Sequence, residues 1–475
     1  MPIVPSSVTF KRSLVLAGGG VRLAYHAGVL VALEEAGLSF DHVDGTSGGI
    51  FGTAMLASGI APKDAAVRWR NLNLDGFMTA MPVKLYGNLD NLPAFGSADG
   101  IRKKVFPALG IDLQKINANT SFTATFNVCN FSHKAIESLA NKDVTEDYLI
   151  AGMSLPMFLP AVKIKTDWYT DAVWIKDANL TGAVNLGAEE IWLVWCIGNT
   201  WNFLDGTFNQ YVHMIEISAN GGLFTEMAWL QNVNAARIQK GQKPIDIHII
   251  KPQYALPLDP DFLLHKINAD TLINMGYADT KQYLANPRVF DYSKPVFTAS
   301  AMTTVDATLH FRQQFIGRIM IGGQSCPVTI QLSFFIREGN GQYAFQSFSS
   351  ISINGGDFIS GYANTIDVGK GGKLEVGFTF LLDAIEYPAT IKMQPHNRLE
   401  LLLGIDNKTA LVTIGAAGGP ATAKGPATAK GQETATLFVQ PALNRIRNAW
   451  YLNVNTQGGW FTKQKLKRKL LSNLF

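Results

Sequence analysis

The chain is poor in cysteine, in long apolar runs and, at its C-terminal end, in acidic side chains. It has only three cysteines among 475 residues, Cys129, Cys196 and Cys326. None of them forms a C-x-x-C pair, so we expect buried, reduced thiols rather than a metal or redox site. No stretch reaches the ~18 apolar residues of a membrane span, and the run Leu14–Ala17 is too short for a signal peptide. These absences predict a cytoplasmic protein, soluble or peripherally attached to a membrane.

Charged residues are also scarce, at 16%, against 47% hydrophobic residues, which is typical of a well-cored globular protein. The net charge of the whole chain is +4, but residues 444–475 contain no Asp or Glu and carry +7, which leaves 4 − 7 = −3 for the rest. The rest of the chain is therefore slightly acidic, which argues against a nucleic-acid-binding body. The basic residues of this tail are Arg445, Arg447, Lys463, Lys465, Lys467, Arg468 and Lys469.

The end of this tail has an amphipathic pattern. A helix over 461–475 would place Leu466, Leu470 and Leu474 on one stripe, with basic residues around the rest. Such a helix suits peripheral contact with an anionic membrane. The alternative is a terminal helix that docks its leucines onto the protein body.

Up to about Asn286, short apolar runs alternate with helical periods. Alternating strands and helices predict an α/β fold with a mainly parallel sheet that is covered on both faces. The candidate helices are Arg22–Ala36, Ile50–Ala57 and Val144–Met153. The candidate strands are Ser13–Ala17, Phe40–Asp44, Ser121–Val128, Glu190–Cys196 and Ile245–Ile250.

Beyond Pro287 the pattern is mainly β, with glycine-rich turns, and predicts an antiparallel, sandwich-like domain. Within it, Gly415–Thr436 contains a tandem Gly-Pro-Ala-Thr-Ala-Lys repeat without bulky residues, which predicts a flexible segment. We expect domains at 1–288 and 289–440, followed by the tail 441–475. The candidate strands are Val305–Gly317, Val328–Ile336, Tyr343–Ile353, Lys373–Leu381 and Arg398–Leu403.

A glycine turn, Gly18–Arg22, lies between the first strand and the first helix. Successive glycines let backbone amides point at one spot, so the turn can hold an anion. A dinucleotide fingerprint would need glycine at position 23, where the chain has Leu23. Although Asp41 stands near the place of a ribose-binding acid, a nucleotide fold remains only a distant alternative.

The second motif, Gly45–Gly49, reads Gly-Thr-Ser-Gly-Gly and matches Gly-x-Ser-x-Gly between a strand and a helix. In a nucleophile elbow the serine occupies a strained turn, and the flanking Gly45 and Gly49 avoid collisions. Ser47 is therefore the candidate nucleophile. A serine needs a base, and His213, His248 and His265 are candidates for a Ser-His-Asp arrangement.

Together the two motifs resemble the opening of patatin-like phospholipases. Met153–Pro160, Tyr169–Val173 and Gly187–Ile191 are similar to later segments of that family, so the resemblance covers roughly residues 10 to 286. The resemblance implies a lipid acyl hydrolase with a Ser-Asp dyad, no histidine, no cofactor and no catalytic metal. It implies a phospholipid or other acyl-lipid substrate.

The dyad implied by the resemblance is Ser47 with Asp171. The backbone amides of Gly18, Gly19 and Gly20 are the implied oxyanion hole. The family has glycines after the aspartate, where this chain has Ala172 and Val173.

Asp177 is the fallback base, because Asp-Ala-Asn superficially imitates the signature. Trp168 and Trp174 flank Asp171 and are candidates for an apolar wall that raises its basicity. Arg22 either contacts a phosphate head group or faces solvent. A lipid-binding protein that kept the fold without catalysis is the alternative function.

Overall fold

A computed structural model describes most of the chain. The chain divides into two compact units: Met1–Leu263 with Tyr283–Thr304, and Leu264–Gln282 with Val305–Phe475. The described residues are 12–73, 77, 79–81, 86, 92–197, 203, 205–256, 268–289, 309–321, 324–339, 342–368, 373–393, 410–415, 433–439 and 453–454. The tandem repeat, the amphipathic tail end, the candidate strand Arg398–Leu403 and His265 lie outside these residues.

The first unit contains a mainly parallel sheet in the order β10-β9-β1-β2-β5-β8-β7, with β6 also paired to β5. Strands β10, β9, β1, β2 and β5 run parallel, while β6, β7 and β8 join by antiparallel pairs. The predicted α/β class is confirmed. The described strands of this unit, of which β3 and β4 form a separate two-stranded sheet, are β1 Arg12–Leu16, β2 His42–Thr46, β3 Thr79–Ala80, β4 Gly96–Ser97, β5 Thr123–Asn130, β6 Ala135–Ala140, β7 Val162–Ile164, β8 Asp167–Asp171, β9 Glu190–Val194 and β10 Asp246–Ile250.

The strands predicted for this unit from apolar runs all appear, within a few residues of their expected bounds. Leu14, Val15 and Leu16 are fully buried, as expected where helices cover both faces of a parallel sheet. Across the described residues of both units the α-helices are α1 Ala24–Glu35, α2 Gly49–Ala57, α3 Pro62–Asn71, α4 Phe106–Leu109, α5 Leu113–Ala118, α6 Glu146–Gly152, α7 Leu180–Asn185, α8 Thr207–Gln239 and α9 Ala269–Ala285.

Two strands meet on one edge of β5. Residues Thr125–Asn127 pair with both β2 and β6, and Val128–Asn130 pair with both β6 and β8. Strands β2 and β8 therefore share the edge of β5 opposite β6. Thr46, the last residue of β2, lies opposite Asn127, and Asp171, the last residue of β8, lies opposite Val128. The ends of the two strands are thus brought together by register alone.

The second unit is mainly β, as predicted. Its antiparallel strands form one sheet in which β11 pairs with both β12 and β18, so the sheet closes on itself. The apolar core includes Phe315, Ile330, Ile351, Phe380 and Ile391. The strands are β11 Leu309–Ile321, β12 Gln324–Gly339, β13 Gln342–Ile353, β14 Ile359–Val368, β15 Leu374–Leu382, β16 Ile385–Met393, β17 Ala410–Ile414, β18 Glu433–Val439 and β19 Asn453–Val454.

Helix α9 is bonded to this sheet through small polar side chains. Thr271 bonds Ser333 at 2.8 Å, Ser350 donates to Asp270 at 2.9 Å, and a third bond joins the Ser360 hydroxyl to Asn274. The segment Leu264–Gln282 accordingly belongs to the β-rich unit. The sequence-based boundary at residue 288 remains a proposal.

The described part of the chain contains no helix that is both long and apolar enough to cross a membrane. Cys129, Cys196 and Cys326 are buried and unpaired, as expected.

Candidate active site

Ser47 occupies a sharp turn between β2 and α2. Its φ of 51° lies in the left-handed region, which is strained for a side chain with Cβ. The turn continues at once into α2, because the amide of Ile50 donates to the Ser47 carbonyl at 3.0 Å. The helix N-terminus behind the serine favours negative charge there.

The glycines of this motif are sterically required. A Cβ at Gly45 would stand 2.5 Å from the Thr53 hydroxyl, and one at Gly49 would stand 2.0 Å from the Leu16 carbonyl oxygen. Real Cβ atoms do not approach so closely. The elbow therefore depends on close backbone packing between α2, β1 and β2.

Ser47 and Asp171 are in hydrogen-bond contact. The Ser47 hydroxyl donates to Asp171 Oδ2 at 2.6 Å. The other carboxylate oxygen accepts the Val173 amide at 2.9 Å, and the Asp171 amide donates to the Ser154 carbonyl at 3.1 Å. Ser47 is 4% exposed and Asp171 is fully buried. This contact is the nucleophile–base geometry that a dyad needs.

Burial changes the acidity of Asp171. Desolvation raises its pKa to about 7, although hydrogen bonds from Ser47 and the Val173 amide lower it in part. The negative charge of Asp171 in turn raises the pKa values of Asp177, Cys129 and Tyr211, which burial already raises. A carboxylate with a pKa near neutrality is a much stronger base than a solvated one.

The glycine turn lies beside the elbow. A Cβ at Gly18 would stand 2.8 Å from Ser47 Cβ and 2.2 Å from Asp177 Oδ1. The Gly18 amide donates to both Asp177 carboxylate oxygens at 3.1 Å, so this amide is already engaged. The amides of Gly19 and Gly20 remain the proposed oxyanion donors.

Arg22 is buried and is not a solvent-facing helix residue. Its Nε donates to the Gly19 carbonyl at 2.8 Å, and the residue is only 6% exposed. The guanidinium therefore holds the carbonyl side of the glycine turn. A head-group contact by Arg22 stays a prediction.

Asp177 is placed differently from the candidate base. It is fully buried, and desolvation together with the charge of Asp171 raises its pKa to about 8. Its carboxylate accepts the Gly18 amide, whereas the Ser47 hydroxyl donates to Asp171. The geometry favours Asp171 as the base, whereas Asp177 binds the backbone of the glycine turn.

A buried polar network beneath the elbow was not predicted from the sequence. Asn127 donates to Asp44 Oδ1 at 2.7 Å and to the Thr46 hydroxyl at 2.9 Å. Thr125 donates to Asp44 Oδ2 at 2.5 Å, and His42 bonds Thr125 at 2.8 Å. The available signal was the placement of Asp and Asn within otherwise apolar strands. The network joins β2 to β5 immediately before Ser47.

The described candidate histidines, and the two histidines nearest the motifs in sequence, do not contact Ser47. His42 lies in the network beneath the elbow, and His26 is buried in α1. His213 lies near Glu216 at 3.3 Å, and His248 stacks on Trp192. Among the described residues, Asp171 rather than His213 or His248 is the group that the Ser47 hydroxyl contacts, while His265 lies outside them.

Trp168 does not wall off the carboxylate. It is 46% exposed, whereas Trp174 packs partly buried against the α8 side and contacts Tyr211 edge to face at 5.9 Å. The expectation of an apolar wall from Trp168 was therefore wrong. Strand alternation explains this, because Trp168 points away from the face that buries Tyr169.

Ala172 and Val173 do not displace the candidate base. Both are buried and belong to a short 3-10 helix, Ala172–Trp174, whose N-cap is Asp171. The Val173 amide is the one that binds Asp171. Among the residues that the structure describes, no cluster of three or more His, Cys, Asp or Glu side chains could hold a metal ion.

The fold and this site define the class of the first unit. Residues 14–184 match the family model for patatin-like phospholipases, so the chain carries a patatin-like phospholipase domain and the resemblance is confirmed. The chain is also distantly similar to fungal lysophospholipases. Lysophospholipase nte1 of Aspergillus oryzae is 26% identical over 298 residues, covering 58% of this chain and 18% of that protein.

A second relative, lysophospholipase NTE1 of Coccidioides immitis, is 25% identical over 297 residues, covering 57% of this chain and 17% of that protein. The chain thus spans less than a fifth of the length of these relatives.

Proposed function

We propose that this protein is a lipid acyl hydrolase that cleaves fatty acyl esters through Ser47 and Asp171. The observation that carries the proposal is the 2.6 Å hydrogen bond from the Ser47 hydroxyl to a fully buried carboxylate. The patatin-like domain and the lysophospholipase relatives support the same class of reaction.

The reaction follows from the geometry. Asp171 takes the hydroxyl proton as Ser47 attacks the ester carbonyl carbon. The resulting oxyanion accepts hydrogen bonds from the Gly19 and Gly20 amides, each worth ~3–4 kcal/mol to the transition state. Asp171 returns the proton to the leaving alcohol oxygen, which leaves an acyl-enzyme. Asp171 then takes a proton from water as the water oxygen attacks the acyl carbon, and it returns that proton to the departing Ser47 oxygen, which releases the fatty acid and regenerates the serine.

For the substrate we propose a lysophospholipid first, because the relatives carry that activity in their names. The test incubates purified full-length protein with lysophospholipid, diacyl phospholipid, galactolipid and triacylglycerol, and identifies products by mass spectrometry. Fatty acid release from none of these lipids, together with no labelling of Ser47 by a fluorophosphonate, contradicts the proposal.

A non-catalytic lipid-binding protein is the second candidate. The observation in its favour is Ala172–Val173 in place of the family glycines. The intact contact between Ser47 and Asp171 weighs against it. A fluorophosphonate decides between the two, since it reacts only with an activated serine.

The pH dependence of the reaction is predicted by the pKa of Asp171. Because the base must be ionised and burial raises its pKa to about 7, kcat/KM should rise as pH increases through about 7 and level off above it. Measuring fluorophosphonate labelling from about pH 5 to about pH 9 checks this without a substrate headgroup. A flat profile, or a limb near the ordinary Asp value of about 4, contradicts a buried base.

The basic tail predicts membrane attachment independently of the site. Deleting 461–475 should weaken co-sedimentation with phosphatidylglycerol vesicles, because each basic residue near an anionic surface contributes ~1 kcal/mol. The loss should fade at high salt, where charges are screened. Binding that is unchanged at low salt, or a deletion that unfolds the protein, favours the docked helix instead.

A further inference from the structure

One face of α8 lies against the segment that follows Asp171. Ser218, Gly222 and Glu226 are spaced four residues apart, so their side-chain positions share this face of the helix. The segment they contact, residues 173–176, joins the candidate base to Asp177. We call these three residues the α8 clamp.

The first two clamp residues hold the backbone itself. The Ser218 hydroxyl lies 2.8 Å from the Trp174 carbonyl oxygen and 3.2 Å from that of Val173. At Gly222 the helix approaches so closely that a Cβ would stand 2.9 Å from the Ile175 carbonyl oxygen. The helix and the segment are therefore in direct backbone contact.

The third clamp residue is a buried charge. Glu226 Oε1 lies 2.9 Å from Lys176 Nζ, and the Glu226 side chain is only 8% exposed. The same carboxylate accepts the Thr181 amide at 2.6 Å and the Thr181 hydroxyl at 2.7 Å. Glu226 thus ties down both sides of the stretch that contains Asp177.

Residues 173–176 are linked to Asp171 by a short series of hydrogen bonds. The amides of Ile175 and Lys176 both donate to the Ala172 carbonyl, at 2.9 and 2.8 Å. Val173, next to Ala172, supplies the amide that binds Asp171 Oδ1. A displacement at Ile175 therefore shifts the donor that orients the candidate base.

We propose that the α8 clamp is a positioning device that keeps Asp171 within hydrogen-bond reach of Ser47. The inference rests on the proposed function, because it assigns the clamp its effect through the dyad.

The test compares neighbouring glycines of one helix. Gly222→Ala places its Cβ against the Ile175 carbonyl oxygen, whereas a Cβ at Gly221 meets nothing within 4 Å. We expect Gly222→Ala to lower kcat by about 10²-fold, the effect of an ångström-scale misplacement, with little change in KM. Gly221→Ala should keep wild-type kinetics and unfold at the same or a slightly higher temperature, since alanine favours a helix.

A pH profile separates positioning from general destabilisation. If the segment moves, Asp171 becomes better hydrated and its pKa falls, so the acid limb of labelling should move to lower pH in Gly222→Ala. The titratable groups around Asp171 are Asp177, Cys129 and Tyr211, and Gly221→Ala leaves all of them in place. The acid limb of Gly221→Ala should therefore match that of the wild type.

Ser218→Ala is a second variant that tests the clamp if Gly222→Ala does not fold. It adds no atoms and removes only the hydroxyl that bonds the Val173 and Trp174 carbonyls. We expect a several-fold loss of kcat at unchanged thermal stability. The proposal is overturned if folded Gly222→Ala has the kcat and the pH dependence of labelling of the wild type. If Gly222→Ala does not fold, the same result in Ser218→Ala overturns it.

The positioning role of the α8 clamp and the proposed function can be disproved independently of each other. If the wild-type protein neither hydrolyses nor labels, the proposed function fails, and hydrogen exchange of residues 172–177 then tests the clamp alone. Faster exchange there in Gly222→Ala than in Gly221→Ala supports the clamp, and equal exchange overturns it.

Discussion

Ser47→Ala and Asp171→Asn should each lower kcat/KM for a medium-chain p-nitrophenyl ester by about 10³- to 10⁴-fold. The physical reason is that the two side chains act as one unit: without the hydroxyl there is no nucleophile, and without the carboxylate nothing accepts its proton. Both changes are nearly isosteric, so the thermal unfolding profile should stay close to that of the wild type. Initial rates and calorimetry on the same preparations measure both.

The matched control for this experiment is Asp177→Asn. An asparagine oxygen can still accept the Gly18 amide, so this variant should lose much less activity than Asp171→Asn. Full activity in Asp171→Asn together with loss in Asp177→Asn would transfer the base to Asp177. Full activity in Ser47→Ala would remove the proposed mechanism altogether.

Gly18→Ala should lower kcat by about 10²- to 10³-fold, because the turn that carries the oxyanion donors must move. Its Cβ would stand 2.2 Å from Asp177 Oδ1 and 2.8 Å from Ser47 Cβ, and both neighbours are buried and cannot retreat into solvent. Steady-state kinetics and fluorophosphonate labelling check the loss. Gly221→Ala is the control, since its Cβ meets nothing within 4 Å.

The role of Asp177 in this turn is tested by a graded pair. Asp177→Ala removes the acceptor of the Gly18 amide, whereas Asp177→Asn keeps one. We expect the alanine variant to resemble Gly18→Ala and the asparagine variant to lie near the wild type. If both variants behave alike, Asp177 does not hold the turn through that hydrogen bond.

The strand and helix on either side of Ser47 could be predicted from local pattern, whereas β8, which carries Asp171, and α8 were not among the predicted elements. Fully buried parallel strands such as β1 are continuous apolar runs, and the Gly-x-Ser-x-Gly motif announces a strand-turn-helix at Ser47. Prediction failed where the local signal was weak. The strands Ile359–Val368 and Ile385–Met393 were missed, because the first contains Gly361 and Asn364 and the second contains Pro388, which are residue types disfavoured in strands.

Asp171 could be placed from the sequence only through the family resemblance. Its burial and its contact with Ser47 follow from register: β2 and β8 share one edge of β5, so Thr46 and Asp171 face neighbouring residues of that strand. No pattern within β2 or β8 encodes this pairing. The same holds for the Trp168 expectation, which failed because sequence neighbours of a strand residue point to opposite faces.

The sequence by itself determined the elements of this protein and the chemistry available to it. Hydrophobic period and glycine position are local properties, so they specified the α/β unit, the mainly-β unit, the nucleophile turn and the glycine turn. The tertiary structure alone decided which groups meet. It buries Asp171, which raises the pKa of that carboxyl to about 7. It also brings the Gly18 amide into hydrogen-bond contact with Asp177 and packs Gly222 against the Ile175 carbonyl. These contacts join residues far apart in the chain, and desolvation is a property of the packed surroundings rather than of any one segment.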